Sequence, residues 1–324
     1  MMLLLSGLCG LFIWKSRRKT FIRPDGVAVF ISGCDTGIGK KLAEYFSEMG
    51  CLVFAGCLDP NRSSLPDNVR VIPLDLLNEV SVREAVASVK STLENEGKEL
   101  WALVNNAGVC VCGQFEWQTS SQRDWQVDVN IKGTMRLTCE CIPLLKRSRG
   151  RIITVTSING KIAYPGLAVY SATKHALVGF SDGLRMELGP RHGIRVITVE
   201  PGDYARVTSI MSNHRCHARE MWNNMPREEQ EQVENEFQKY HSATLQNYGL
   251  SSPTSWEGSP LLRDMKEAVL SESPSYSYLS APFVHKLAYK LLTLLPACSK
   301  DFVLVWIAQS VIDSTDIGKN ALVL

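Results

Sequence analysis

The fold is decided by residues 27–43, which read "VAVFISGCDTGIGKKLA". Their apolar start is typical of a buried strand, and Ile38, Leu42 and Phe46 then recur at helical spacing. Glycine in the turn between them allows a tight reversal, and the N terminus of the following helix offers free N–H groups to a pyrophosphate. The turn has the spacing G-x-x-x-G-x-G, formed by Gly33, Gly37 and Gly39. This pattern predicts a strand–turn–helix unit that is either a phosphate site or a plain βα turn.

The alternation of apolar runs and amphipathic stretches continues along the chain and favours the phosphate site. Further strands are predicted at 51–56, 69–75, 100–108, 150–157 and 194–202. Helices are predicted between them, the longest at 79–96, 123–147 and 168–188. Because the strands are continuously apolar and separated by helices, we predict an α/β fold with a doubly wound parallel sheet of Rossmann type.

The regularity ends after residue 202. Residues 203–258 are polar and charged, and two apolar helices are expected near 281–295 and 301–312. Ligands of such sheets bind beyond the carboxyl ends of the strands. We therefore interpret 26–202 as a catalytic core and 203–324 as a substrate lid with C-terminal helices in the same domain.

Composition excludes some partners. The formal net charge of +2 over 324 residues gives no electrostatic footprint for nucleic acid. The ten cysteines include two C-x-C pairs, Cys110/Cys112 and Cys139/Cys141, but no spacing of zinc type. They are interpreted as reduced thiols in a reducing compartment, and no metal site is expected.

The N-terminal segment, residues 1–20, begins with fourteen uncharged residues, "MMLLLSGLCGLFIW", followed by "KSRRK". Such a helix reaches about 21 Å, less than the roughly 30 Å of a hydrocarbon core. The flanking positive charges favour a cytosolic position for the rest of the chain. We expect a membrane anchor, with a mitochondrial targeting segment or simple burial as the alternatives.

Five motifs in order resemble the short-chain dehydrogenase/reductase family. They are "SGCDTGIG" at 32–39, "NNAG" at 105–108, Asn130 with Ser157, Tyr170 with Lys174, and Pro201–Gly202. The resemblance covers roughly residues 26–205, and "YSATK" holds the single Y-x-x-x-K of the chain. It implies hydride transfer between a nicotinamide cofactor and an alcohol or carbonyl group.

The resemblance assigns catalytic roles to Asn130, Ser157, Tyr170 and Lys174. A lysine one helical turn away and the nicotinium charge favour the tyrosine phenolate, so that Tyr170 can take the alcohol proton or return it. Ser157 would hydrogen-bond the substrate oxygen. Lys174 would also bind the ribose hydroxyls, and Asn130 would hold a water that links Lys174 to solvent.

The resemblance also implies a set of cofactor-binding residues. These are Gly33, Thr36, Gly37, Ile38, Gly39, Asp59, Asp75, Asn105, Ala107, Gly108, Tyr170, Lys174, Pro201 and Gly202.

The choice between NAD and NADP depends on the end of the second strand. An acid there accepts hydrogen bonds from the ribose diol, whereas a cation binds a 2′-phosphate. Asp59 lies where the acid is expected, although relatives place it at Cys57, which would make Asp59 a turn residue. No cation precedes Arg62 and Thr36 is neutral, so NAD is favoured, with NADP as the alternative.

The branch of the family is indicated by "GCDTGIGKKLA", "LVFAGCL" and "RMELGPRHGIRVITVEPG". They are similar to membrane-associated retinol and hydroxysteroid dehydrogenases, and equally to D-3-hydroxybutyrate dehydrogenases. One departure is Arg206, where many relatives carry a threonine that contacts the nicotinamide amide; Thr208 follows two positions later.

Three functions follow from these patterns. The first is oxidation or reduction of a lipophilic substrate, a hydroxysteroid (ecdysteroid-type steps included) or a retinoid, at the endoplasmic reticulum membrane. The second is a mitochondrial 3-hydroxybutyrate dehydrogenase, whose acid substrate would need a cation such as Arg206 or His214–Arg215. The third is a non-catalytic dinucleotide-binding scaffold at a membrane. By analogy with relatives, a homo-oligomer is expected through the long helices beside the fifth strand.

Overall fold

The computed structural model of the protein describes residues 20–315. The predicted anchor, apart from Thr20, lies outside the described residues. One sheet of seven parallel strands forms the centre, in the order β3-β2-β1-β4-β5-β6-β7. The strands are β1 Ala28–Ser32, β2 Leu52–Cys57, β3 Arg70–Pro73, β4 Leu100–Asn105, β5 Arg151–Val155, β6 Arg195–Pro201 and β7 Ser277–Ser280. This order reverses between β1 and β4, which confirms the doubly wound prediction.

Helices cover both faces of the sheet. They are α1 Gly37–Glu48, α2 Glu79–Asn95, α3 Ser120–Val127, α4 Thr134–Ser148, α5 Ala168–His192, α6 His214–Asn224, α7 Arg227–Asn247, α8 Pro260–Leu270, α9 Phe283–Leu294 and α10 Ala297–Asp313. Because successive strand residues point to opposite faces, Val29 and Ile31 pack toward α1 and α8, and Ala28 and Phe30 toward α2 and α4. Two apolar layers therefore enclose β1, whose five residues are all buried.

The sequence missed two elements that complete this core. The strand β7 pairs with β6 in parallel, and its sequence "SYLS" is too short and polar to read as a buried strand. The helix α8 buries Leu261, Met265 and Val269 against the sheet. Part of the region predicted as lid and C-terminal helices thus belongs to the sheet layer.

The helix predicted at 123–147 is divided in the structure. A π-helical turn, Asp128–Gly133, separates α3 from α4. Such wide turns frequently occur at functional sites because they shift a side chain relative to the regular spiral. Here the turn contains Asn130, which is fully buried.

The helices α6 and α7 pack over the loop that follows β4. Met221 of α6 rests on Gly113, where a Cβ would lie 2.7 Å from the Met221 Sδ. The hydroxyl of Tyr240 on α7 contacts Gly166 in the same way. Since Gly113 N–H donates to Gly166 O (3.0 Å), both helices close over one short piece of backbone.

A buried arginine fixes α8 to the sheet. Arg151 on β5 is 1% exposed, and its guanidinium stacks on the Trp101 ring at 4.4 Å from the centroid. Its Nη1 donates to Ala268 O (2.9 Å) and Ser271 O (3.0 Å), carbonyls at the C terminus of α8. A cation at this end of a helix also meets the negative end of the helix dipole.

We expect Arg151→Met to lower the free energy of unfolding by about 2–4 kcal/mol, because two buried carbonyls lose their donor. Arg195→Met is the matched control, since exposed Arg195 donates to the backbone of Glu272 (2.6 Å) and should cost less than about 1 kcal/mol. Urea denaturation of both variants checks this. Equal losses of unfolding free energy in the two variants would show that burial does not strengthen the hydrogen bonds of Arg151.

Candidate active site

The glycine turn between β1 and α1 is built for close backbone approach. Gly33 and Gly37 have φ values of 72° and 62°, a left-handed region that favours glycine. Gly39 leaves no room for a side chain, because a Cβ there would meet Gly33 O and lie 2.5 Å from Asn106 Nδ2. No side chain caps the N terminus of α1 at Thr36. The first N–H groups of α1 therefore remain available to a phosphate, which fits a dinucleotide.

The sequence missed Asn106, the residue that braces this turn. Its Nδ2 donates to Ser32 O (2.9 Å) and Gly33 O (3.2 Å). The Ser32 Oγ in turn accepts the N–H groups of Asn106 and Ala107, both at 3.1 Å. By contrast, the predicted cofactor residue Asn105 turns its side chain toward α4, where it donates to Thr138 Oγ1 (2.8 Å).

Ser157, Tyr170 and Lys174 converge at the carboxyl end of β5. Ser157 follows the strand, and the first turns of α5 carry the other two residues. All three are buried, with 7%, 8% and 4% exposure respectively. Lys174 Nζ donates to Val155 O (3.2 Å) and lies 5.6 Å from the Tyr170 ring centroid.

Burial dominates the electrostatics of this group. Desolvation raises the pKa of Tyr170 well above its ordinary value, and an interaction with Ser157 opposes that rise. Desolvation also lowers the pKa of Lys174 to about 8. Lys174 was expected to lower the pKa of Tyr170, but it is not among the main influences on that pKa. Both charged forms lose their hydration at this buried position.

Asn130 joins three segments of the site. Its Oδ1 accepts the N–H of Val109 (2.8 Å), and its Nδ2 donates to Val109 O (2.9 Å) and Thr173 Oγ1 (3.0 Å). Gly108 allows this approach, since a Cβ there would lie 3.4 Å from Asn130 Oδ1 and 3.3 Å from Lys174 Nζ. The amide therefore positions the backbone beside the lysine.

A second missed residue, Asp35, lies at the end of β2. Its carboxylate accepts the N–H groups of Leu58 (3.0 Å) and Asp59 (2.8 Å). Cys57 is buried, and Asp59 caps a short 3₁₀ turn. The carboxylate of Asp75, after β3, accepts the N–H of Leu77 (2.9 Å). The end of the sheet where an adenosine would lie thus carries negative charge from Asp35.

The segment after β6 lies over the glycine turn. Pro201 ends the strand, and Gly202 N–H donates to Ser280 O (3.0 Å), away from the turn. The hydroxyl groups of Ser209 and Thr36 are hydrogen-bonded at 2.5 Å. Thr208 packs against Gly37, where a Cβ would lie 3.3 Å from the Thr208 Cβ. Ile38, half-buried beside them, packs into the core under α1.

The wall beside Tyr170 is apolar and rich in sulfur. Cys110, Cys112, Leu167 and Met211 pack with the tyrosine in one cluster. His214 borders this wall, and it is buried against His241 with 3.1 Å between Nε2 and Nδ1.

The cations expected for an acid substrate are not gathered at this wall. Arg206 and Arg215 are exposed, and the Arg206 side chain lies against Gly249 in the loop after α7. His214 is the member of the predicted set that the structure brings to the site.

Two kinds of site are absent from residues 20–315. No cluster of three or more His, Cys, Asp or Glu side chains in this part of the chain is arranged to hold a metal ion. None of its helices combines the length and apolarity that crossing a membrane requires.

Comparison with known proteins places this site in a family. Residues 27–217 match the sequence model described as short chain dehydrogenase. The mitochondrial D-beta-hydroxybutyrate dehydrogenase of Mus musculus is 31% identical, with 86% of this chain and 84% of the relative covered. The 17-beta-hydroxysteroid dehydrogenase type 6 of Bos taurus is 33% identical over 93% and 94%.

A solved structure agrees with these relatives. The 3-ketoacyl-(acyl-carrier-protein) reductase of Brucella melitensis, complexed with NADH, superposes with a TM-score of 0.53 and 26% identity over 62% of this chain and 83% of that one. The chain therefore belongs to the short-chain dehydrogenase family and is an NAD(P)-dependent oxidoreductase.

Proposed function

We propose that the protein interconverts the alcohol and carbonyl forms of a lipophilic substrate, either the secondary alcohol and ketone of a hydroxysteroid (ecdysteroid-type steps included) or the primary alcohol and aldehyde of a retinoid. The observation that carries this proposal is the meeting of Ser157, Tyr170 and Lys174 beside a wall of apolar and sulfur-containing side chains. Such a wall can pack against the apolar part of a substrate, while the Ser157 and Tyr170 hydroxyl groups can hydrogen-bond to one substrate oxygen atom.

The cofactor would be held by the glycine turn and the carboxyl ends of the strands. The N–H groups at the start of α1, near Gly37 and Gly39, would bind the pyrophosphate, and the backbone of Ala107 and Gly108 would lie on the ribose side. When bound, the nicotinamide accepts or donates the hydride. Thr208, packed on Gly37, takes the place of the absent threonine at Arg206 in closing this end of the site.

The proton is handled by Tyr170. Its hydroxyl gives a proton to the carbonyl oxygen in reduction and takes one from the alcohol in oxidation, while Ser157 donates a hydrogen bond to the same oxygen. Because burial, and after it Cys110 and Cys112, raise the pKa of Tyr170, formation of the phenolate would need positive charge close by. The Lys174 ammonium supplies such charge at neutral pH, and Asn130 holds the backbone around it.

NAD is the proposed cofactor. The carboxylate of Asp35 faces the end of β2, where it would repel a 2′-phosphate. Lys40 reaches the loop beyond β2, with 2.5 Å from its Nζ to Ser64 Oγ, and this cation supports NADP as the alternative.

A second candidate is D-3-hydroxybutyrate, favoured by the similarity to the mitochondrial enzyme of that name. Its carboxylate would need a positive partner inside the site. His214 is the described side chain that offers one, but it is buried and its Nε2 lies 3.1 Å from His241 Nδ1. The apolar wall therefore favours the larger lipophilic substrate.

The surroundings of the enzyme are also proposals. The segment 1–20 would hold it at the endoplasmic reticulum membrane with the catalytic core, 26–202, in the cytosol; a mitochondrial position is the alternative. The region 203–324 would cover the substrate, and a homo-oligomer would form through α4 and α5. The non-catalytic scaffold is not retained, since the family assignment makes the chain an oxidoreductase.

A substrate panel tests the reaction. NADH oxidation should be observed with keto-steroids or retinal and be at least tenfold slower with acetoacetate, because the site wall is apolar. Tyr170→Phe should reduce kcat at least about 100-fold with little change in KM, since it removes the proton donor only. Preferential turnover of acetoacetate would reverse the choice of substrate.

Lys174→Met should have opposite effects on activity and stability. Turnover should fall at least about 100-fold, whereas the free energy of unfolding at pH 7 should rise by about 1–3 kcal/mol. The lowered pKa means that the destabilisation by Lys174 is complete below about pH 8 and is relieved between there and 10.5. The stability difference from wild type should therefore shrink across that window in urea titrations.

Lys132→Met is the control for that experiment, because exposed Lys132 pairs with Asp128 and should change neither quantity by much. If the Lys174→Met protein were less stable than the wild type at pH 7, burial of the Lys174 ammonium group would not destabilise the fold.

Cofactor preference is tested at Asp35. We expect the wild type to have a lower KM for NADH than for NADPH. Asp35→Asn should lower the ratio of the KM for NADPH to the KM for NADH roughly tenfold, because it removes one negative charge. The asparagine retains one acceptor oxygen, so it keeps one of the two hydrogen bonds that Asp35 accepts from the Leu58 and Asp59 N–H groups. Asp67→Asn, at an exposed loop acid, serves as the control. An unchanged ratio in Asp35→Asn would show that another group selects the cofactor.

A further inference from the structure

The sulfur atoms of Cys110 and Cys112 face each other in the wall of the site. Their Sγ atoms are 3.8 Å apart, and both side chains are buried, with 8% and 7% exposure. The two residues lie in non-helical chain after β4, where positions i and i+2 point to the same side. The pair packs directly against Tyr170.

The second C-x-C pair of the chain shows that the spacing alone does not produce this arrangement. Cys139 and Cys141 lie within α4, where residues two apart point in different directions. Cys139 is exposed and Cys141 is buried in the core. The molecule therefore contains an internal reference with the same spacing and a different geometry.

The surroundings of the first pair favour a reactive thiolate. The Cys110 thiol and His214 lower the pKa of Cys112, and they outweigh the opposing effect of burial. The hydrogen bond to Cys112 and burial together raise the pKa of Cys110. Cys112 is therefore the thiol of the pair that ionises more readily, and Cys110 is the one that keeps its proton longer, which is the pairing that thiol–disulfide chemistry requires.

We propose that Cys110 and Cys112 form a redox modification site, in which hydrogen peroxide oxidises the two thiols to a disulfide that slows the enzyme. The Cys112 thiolate attacks one peroxide oxygen, the O–O bond breaks, and a sulfenic acid and hydroxide form. The Cys110 sulfur then attacks the Cys112 sulfur and loses its proton, the S–O bond breaks, and water leaves. Two thiols and one peroxide give one disulfide and two waters.

The required movement is small. The sulfur atoms must approach from 3.8 Å to about 2.05 Å. A disulfide also fixes its two Cβ atoms about 3.8 Å apart, so closing the gap bends the backbone of Val111 between them.

That bend falls on backbone that the site depends on. The N–H of Val109 donates to Asn130 Oδ1 (2.8 Å), and the N–H of Val111 donates to Gln126 Oε1 (3.0 Å). Drawing the two cysteines together displaces both N–H groups from these acceptors. Asn130 would then lose the contact by which it positions the chain beside Lys174.

The experiment exposes the full-length protein to graded hydrogen peroxide, alkylates the remaining thiols and digests with trypsin. Both cysteines fall in one tryptic peptide, residues 99–123. We expect this peptide to lose two hydrogen atoms and to escape alkylation, and turnover to fall at least tenfold and return with dithiothreitol. Amide hydrogen exchange across residues 109–113 should rise in the oxidised protein, and this readout is independent of the substrate.

Cys110→Ser and Cys112→Ser should each prevent the reversible loss of turnover, measured against the same variant without peroxide. Cys139→Ser and Cys216→Ser, at exposed thiols, are the controls and should respond as the wild type does. A peptide 99–123 that gains oxygen atoms without a disulfide would overturn the proposal. So would disulfide formation with unchanged turnover, or equal inactivation of the Cys112→Ser protein.

Discussion

The ammonium group of Lys174 is buried at the end of β5, and the site is organised around the cost of that burial. One backbone carbonyl, Val155 O, accepts a hydrogen bond from it, and the glycine at position 108 allows neighbouring backbone to approach it. Burial favours the uncharged forms of both Lys174 and Tyr170. The pair is thus poised to change its charge when a cofactor brings charge of its own, and this sensitivity is what a proton-transfer group needs.

The sequence predicted those parts of the fold that depend on local pattern. The six predicted strands are rich in apolar residues, and all of them except β3 are buried over nearly their whole length, so their buried positions show in the sequence itself. The strand β7 and the helix α8 were missed because their burial depends on distant partners, β6 and the Arg151 side chain. The same distinction applies to the site. Asn130, Ser157, Tyr170 and Lys174 carry a family motif and were named, whereas Asn106 and Asp35 act on backbone that only folding brings near.

The cysteines show how conformation changes the meaning of a spacing. From the sequence, both C-x-C pairs were interpreted as small apolar residues, and Cys141 in the core fits that description. Cys110 and Cys112 differ because the chain around them is non-helical and is held by the Asn130 and Gln126 side chains. A thiol pair of this kind lies where its chemical state is coupled to the geometry of the neighbouring residues.

The chain between β6 and α8 leaves the sheet layer, and the two ends of this segment lie close to each other. At the start of this segment, the Gly202 N–H donates to Ser280 O of β7. Tyr204, which follows, meets Ser259 at the end of the segment, with 3.2 Å between their hydroxyl groups. Both ends are thus fastened to the same framework, and residues 205–258 form a cassette with a closed base. Because the two ends already meet, a change in the length or sequence of the cassette need not disturb the sheet to which they are fastened.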